Sequence, residues 1–181
     1  MSASSWQDHL RPVLAAKKPL LVIVGPTAGG KTGLSLSVAH FLADQGAHPE
    51  IINADSRQLY KGLDIGTAKI RADEMEGVTH HLLSVVDPSE PVTIAWFQEH
   101  ATKIIDQIHQ RNGIPILVGG SMLYISSVID GLLPMEGDPK IRDRLSDAYD
   151  ADEGVTLHAL LQEIDPVSAD TIPRENKMYV I

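Results

Sequence analysis

Eight consecutive residues, Gly25-Pro26-Thr27-Ala28-Gly29-Gly30-Lys31-Thr32, satisfy the spacing G-x-x-x-x-G-K-[ST]. Glycines so placed let backbone N–H groups close around phosphate oxygens, while the lysine adds a charge and the terminal hydroxyl a ligand for Mg²⁺. A second chemical stretch, Asp55-Ser56-Arg57-Gln58, offers a carboxylate, a hydroxyl, a guanidinium and an amide in succession. A third, Gly119-Gly120-Ser121, is a tight turn ending in a hydroxyl. Together they could hold a polyphosphate and work on whatever lies beside it.

Each stretch needs an element to position it. Residues 20–24 (LLVIV) form a continuous apolar run of strand length, and Leu34, Val38, Phe41 and Leu42 then recur at helical spacing. The phosphate loop therefore ends at a helix N-terminus, where unpaired N–H groups and the helix dipole favour an anion. A glycine-rich turn that fits the spacing by chance would need neither neighbour. Residues 50–54 read as a second strand that delivers Asp55 to its carboxyl end. In an open parallel sheet that end lines the ligand crevice, on the side of the phosphate loop.

The following segment, 59–79, carries Gly62, Gly66 and Gly77 without a clean period and reads as loop. Residues 82–86 (LLSVV) are a third strand candidate, closed by Asp87-Pro88. Ile94, Phe97, Ala101, Ile104, Ile105 and Ile108 predict a long amphipathic helix, with Trp96 and Phe97 as core anchors rather than base-stacking groups. Residues 114–118 are the fourth strand, with Pro115 near its start, and an apolar helix spans 122–132. Asp138-Pro139 looks like an N-cap and first helical position for a polar helix to about residue 149, and 156–164 is another helix, closed by Asp165-Pro166. Adjacent strand residues face opposite ways, so His80 and His81 read as packing groups rather than a metal pair.

Composition narrows the class. The 181 residues suit one domain with an appendage, and with no cysteine neither a disulfide framework nor a thiolate metal site can form. A formal net charge of −9 argues against a chain that is nucleic-acid footprint throughout, although a local basic site can work on an acidic protein. No run approaches a membrane span and residues 1–18 lack a signal-peptide core, so a cytoplasmic protein without membrane contact is expected.

The motifs GPTAGGKT from Gly25, INADSRQLYKGLDIGTAK from Ile52, HHLLSVVDP from His80 and ILVGGSMLYISSVIDGL from Ile116, with IDPVSADTI from Ile164 as a weaker fifth, occur in an order that resembles the tRNA dimethylallyltransferase family over most of residues 20–172. The resemblance implies an α/β fold, a P-loop NTPase-like parallel sheet with helices on both faces and a small helical insertion. It divides the chain into a leader (1–18), a P-loop core (19–134) and a helical insertion region (135–181). It implies transfer of a dimethylallyl group from dimethylallyl diphosphate to N6 of an adenosine beside the anticodon of tRNA, by a monomer using Mg²⁺.

Residue by residue, the resemblance makes Asp55 the general base and puts Lys31 and Ser121 with it in the catalytic set. It has residues 25–32 hold the diphosphate with Thr32 on the metal, and has Asp55, Ser56, Arg57, Gln58, Ser121 and Arg142 contact tRNA. Ser121 stands where the family usually has threonine, and Gly29 where serine is frequent, a change a backbone-driven loop should tolerate. The family continues beyond the helical region, so the chain is expected to be C-terminally truncated. Adenylate as acceptor, or a diphosphate-binding remnant without turnover, stay open as alternatives. Without the resemblance, Arg142 reads as one charge on a solvated helix face.

Overall fold

The computed structural model describes residues 6–132 and 138–181. The chain divides into two compact units, residues 1–134 and 135–181. The boundary expected at 134/135 falls in 133–137, and the start of the expected leader in 1–5, both outside the described residues.

In the first unit the order is α1 (Trp6–Ala15), β1 (Leu21–Val24), α2 (Lys31–Asp44), β2 (His48–Asn53), β3 (His80–His81), α3 (Ile94–Gln110), β4 (Gly113–Gly119) and α4 (Met122–Ile129). The strands form one parallel sheet in the order β1-β4-β2-β3. Parallel neighbours need crossovers; helices pack on both faces of the sheet, while the β2–β3 connection, residues 54–79, runs without a helix. Strand alternation then sorts the core in two. Leu21, Ile23, Ile51, Ile114, Ile116 and Val118 pack with Leu36, Val38, Ala39 and Leu42 of α2, and α1 lays Leu10 and Val13 on this cluster. Val22, Ile52 and Leu117 pack instead with Phe97, Ala101, Ile105 and Ile108 of α3 and with Tyr124 and Ile125 of α4.

Local chemistry explains the element bounds. Thr93 caps α3, its side chain accepting from the Trp96 N–H, and Gly30 at φ 75° turns the phosphate loop into α2. Every residue of β4 is buried, as expected for a central strand. Pro115 is tolerated there because pairing with β1 begins only at Ile116. On α2 the buried face is Ser35, Leu36, Val38, Ala39 and Leu42, while Leu34 lies outward, 46 % exposed. The α4 helix ends at Ile129, short of the expected residue 132.

The third strand is a correction. Residues 82–86 are not a strand; β3 is His80–His81 alone. Leu82 and Ser84 take positive φ, 58° and 52°, which ends the extended run. The N–H groups of Val85 and Val86 turn to Leu59 O instead (2.8 and 3.0 Å), and Ser84 N–H to Gln58 O (3.0 Å). The stretch is apolar because Leu82 and Val86 plug the α3 face, not because it extends the sheet.

The second unit contains α5 (Pro139–Asp152), α6 (Val155–Ile164), α7 (Pro166–Thr171) and α8 (Lys177–Val180). Asp138 caps α5 by accepting from the Lys140 N–H, with Pro139 at the first helical position. Asp165-Pro166 does more than close a helix, because Asp165 ends α6 and its side chain caps α7 through the Ser168 N–H (3.1 Å). The buried apolar set is small, namely Tyr149, Leu157 and Ala169, and Tyr149 OH donates to Arg174 O (2.9 Å). Among the described residues, no helix is long and apolar enough to cross a membrane.

Candidate active site

A cavity of about 340 Å³ opens between the phosphate loop and the 55–70 segment. One wall is residues 27–32, and the other is carried by Asp55, Gln58, Thr67, Ala68 and Ile70, with Ile51, Asn53, Val118 and His80 from the sheet. The loop is shaped by its own backbone. Pro26 O accepts from Gly29 N–H (3.1 Å) and from Lys31 Nζ (2.7 Å), which brings the ammonium back over the loop. Ala28 sits at φ 62°, a strained setting for a residue with a Cβ, of the kind that collects at ligand sites. A Cβ on Gly29 would lie 2.9 Å from Pro26 O, so serine there requires that carbonyl to shift. Thr32, in the first turn of α2, lines the cavity.

The opposite wall begins with Asn53. Buried at the end of β2, it accepts from the Asp55 N–H (3.1 Å) and donates to Leu82 O (2.9 Å) and Asp55 O (3.1 Å). That fixes the turn carrying Asp55, whose Oδ1 accepts from the Arg57 N–H (2.9 Å). Asp55 is therefore both a turn cap and a cavity carboxylate, with the geometry of each role present. Gln58 Nε2 donates to Thr67 O (3.0 Å), which holds the far side of the wall.

Ser121 joins two turns. Its Oγ accepts from the Ser56 N–H (3.2 Å) and its own N–H donates to Ala54 O (3.3 Å). The close approach is possible because residue 119 is glycine: a Cβ there would sit 2.2 Å from Ala54 O.

His80 is a cavity residue that sequence reasoning took for packing. Its Nδ1 lies 2.8 Å from Val78 O; a carbonyl only accepts, so the proton belongs on Nδ1 and Nε2 is left as an acceptor. Burial pushes its pKa below the usual histidine value, opposed in part by that carbonyl bond. His81 faces the other way, donating from Nε2 to Glu50 (2.7 Å). Arg111 grips the same carboxylate with two bonds of 2.6 Å and, with His81, pulls the Glu50 pKa below the usual range against desolvation.

The structure thus brings Thr27, Ala28, Gly29, Gly30, Lys31, Thr32, Asp55 and Gln58 to one cavity. Gly25, Pro26, Ser56, Arg57 and Ser121 stand around it without lining it. Arg142 lies on the exposed surface of α5 in the second unit, where it makes no ion pair among the described residues. Asn53, Thr67 and His80 were missed. Asn53 was accessible from the period-two run Ile51, Asn53, Asp55, whereas His80 depends on its register opposite Ile51, which no local pattern reveals. Among the described residues no group of three His, Cys, Asp or Glu side chains could hold a metal by itself.

The chain is similar to known proteins. A tRNA dimethylallyltransferase from Symbiobacterium thermophilum is 48% identical over 167 residues, covering 91% of this chain and 51% of that protein. One from Macrococcus caseolyticus is 42% identical over 165 residues, with the same coverage, 91% and 51%. The chain spans about half the length of the curated relatives it matches. The crystal structure of the tRNA isopentenylpyrophosphate transferase from Bacillus halodurans is similar at 43% identity with a TM-score of 0.60, over 90% of this chain and 53% of that one. A eukaryotic dimethylallyltransferase acting on tRNA gives a TM-score of 0.70 at 31% identity, over 90% of this chain and 40% of that one. The IPP transferase family profile matches residues 58–181, and the chain belongs to that family.

Proposed function

We propose that the chain carries the catalytic cavity of a tRNA dimethylallyltransferase, moving a dimethylallyl group from its diphosphate to N6 of an adenosine next to the anticodon. The observation that carries this reading is that Lys31, Thr32 and Asp55 line one cavity, anion cradle on one side and carboxylate on the other. Its relatives' names supply the substrates.

In this reading the loop amides and Lys31 hold the diphosphate and stabilise the charge that builds as the C–O bond breaks. The exocyclic nitrogen is a weak nucleophile because its lone pair is delocalised into the ring. Asp55 accepts its proton as the new C–N bond forms, and the diphosphate leaves with the electron pair of the broken bond. The target base leaves its stack to reach a cavity of this kind. Ser56, Arg57, Gln58 and Arg142 contact the tRNA, and Ser121 fastens the turn that carries Asp55. Thr32 fits Mg²⁺, since a hard cation held mostly by phosphate oxygens asks for little more than one hydroxyl from the protein. Bound there, Mg²⁺ neutralises diphosphate charge. The reaction is cytoplasmic and the enzyme a monomer.

The test is transfer of radiolabelled dimethylallyl from its diphosphate to unmodified tRNA, with Mg²⁺ and with AMP as a second acceptor. Label in tRNA, reduced about 10²- to 10⁴-fold in Asp55→Asn, is expected. Label in AMP alone would move the activity to free nucleotide. No label from folded protein that still binds the diphosphate would reduce the chain to a binder.

A further inference from the structure

Residues 62–67 make a loop that is firmly fastened at its base and bare at its tip. Thr67 Oγ1 donates to Leu63 O (2.6 Å) and Asp64 O (3.2 Å), while the N–H groups of Ala68 and Lys69 return to Ile65 O (3.1 Å) and Asp64 O (3.0 Å). Beneath them the Lys69 ammonium is nearly buried, its side chain 5% exposed. It donates to Asp64 Oδ1 (2.8 Å), Tyr60 O (2.6 Å) and Ser84 Oγ (2.7 Å), so all three of its protons are used inside the protein. On top of this brace Ile65 is 98% exposed, and Leu63 beside it 42%.

A lone exposed isoleucine is ordinary; its support and its neighbours are not. The loop is held as rigidly as a binding element, and two residues beyond Ile65 the chain becomes the cavity wall at Thr67 and Ala68. Two exposed basic side chains stand on the same segment, Arg57 and Lys61. Neither makes an ion pair among the described residues, although the charge of Lys61 also reaches Asp87. The acid within the loop, Asp64, is already neutralised by Lys69. A rigid apolar point on a segment that also carries two unpaired cations and runs on into a cavity wall matches one partner chemistry: a stacked base between phosphates.

We infer that loop 62–67 is a contact element for single-stranded RNA, in which Ile65 packs on the face of the base next to the one that enters the cavity. Arg57 and Lys61 take the flanking phosphates. The inference rests on the proposed acceptor being tRNA. Extruding a base uncovers the face of its neighbour, and an apolar side chain on a rigid support covers that face, as apolar wedges do between base steps. Because every base has such a face, the contact stabilises the opened stack without reading sequence, while the cations position the backbone. The brace matters because an ordered loop loses little conformational freedom on binding.

The experiment compares the chain with Ile65→Ser and Ile65→Met, measuring anisotropy of a labelled, unmodified anticodon stem-loop RNA at fixed salt. Calorimetric titration with dimethylallyl diphosphate and Mg²⁺ runs in parallel. Serine at a fully exposed tip leaves the fold untouched, so the titration is expected to be the same in all three. RNA binding is expected to weaken about tenfold in Ile65→Ser and to be largely restored in Ile65→Met. Equal RNA affinity in wild type and Ile65→Ser would overturn the inference and leave the acceptor standing. A wild-type chain that binds the diphosphate but no RNA would overturn both.

Discussion

The two faces of the sheet are built from alternate residues of the same strands and put to different ends. On β2, Ile51 packs toward α2, and Asn53 and Asp55 continue that side into the cavity. Ile52, between them, packs toward α3 on a face that is closed. The adjacent histidines repeat the division, with His80 lining the cavity and His81 tied to the Glu50–Arg111 pair. One face ends in water and a phosphate loop; the other ends in Phe97, fully buried and stacked on Tyr124 at 4.2 Å. Stability and chemistry are thereby separated by a single residue step. Substitutions on the closed face should cost stability and spare affinity, and those at the cavity end of the other face should do the reverse.

The sharpest trial of that separation is Phe97→Ala. Truncating a fully buried aromatic ring is expected to cost about 3–5 kcal/mol, read from the denaturant midpoint, with unchanged diphosphate affinity in the protein that remains folded. A loss below about 1 kcal/mol would mean the α3 face is not the closed one. Its counterpart is Lys31→Met. Removing a charge-assisted donor to phosphate is expected to weaken diphosphate binding by roughly 1.5–3 kcal/mol, about 10- to 150-fold by calorimetry. The midpoint should stay within about 0.5 kcal/mol, because among the described residues the Lys31 ammonium bonds only to Pro26 O. A large midpoint shift in Lys31→Met would erase the distinction.

The two faces were unequally legible in the sequence. The phosphate loop announces itself because its function is backbone geometry, and backbone geometry demands glycines at fixed spacing. The polar helix α5 was read closely, since Asp138 and Pro139 are local signals acting on their own neighbours. The third strand was misplaced because apolar content cannot distinguish a strand from a plug. Leu82 and Val86 are buried by packing under α3, with positive φ at Leu82 and Ser84 between. His80 was invisible as a cavity residue for a related reason: its place follows from pairing with Ile51, nearly thirty positions away, and register across a crossover leaves no local trace. Beyond Asp55, which the strand end placed, the wall at 55–70 was readable only through resemblance. Its hub, Lys69, looks in sequence like any loop cation, and only the fold shows three acceptors converging on it.

Glu50 tests the closed face more gently. Arg111, and after it His81, holds its carboxyl below the ordinary value of 4.5 in the folded protein. In the unfolded chain the group returns to that value, so between the two pKa values the unfolded state binds more protons. Stability therefore rises with pH through that window; the contribution is whole above about pH 4.5 and is lost as pH falls through the folded pKa. Glu50→Gln is expected to cost about 1 kcal/mol at neutral pH, at the low end because Arg111 is half exposed. Thermal melts from pH 7 down to pH 3 should show the variant less stable at the upper end and converging on wild type at the lower. Parallel curves would mean the ion pair contributes nothing to folding.

The smallest effect expected is at Ser121, where the two faces meet. Its hydroxyl accepts the Ser56 N–H, so it fastens the turn after β2 to the turn after β4 without entering the cavity. Ser121→Ala leaves a half-buried N–H that water can partly satisfy, a loss of about 0.5–1.5 kcal/mol. Because the turn it fastens carries Asp55, the loss should surface in turnover, by about two- to tenfold, rather than in diphosphate affinity. Ser121→Thr keeps the oxygen and should restore the rate. If Ser121→Ala instead raised KM for tRNA with kcat unchanged, the hydroxyl would be a direct contact to the acceptor. The bond to Ser56 would then be what that contact displaces.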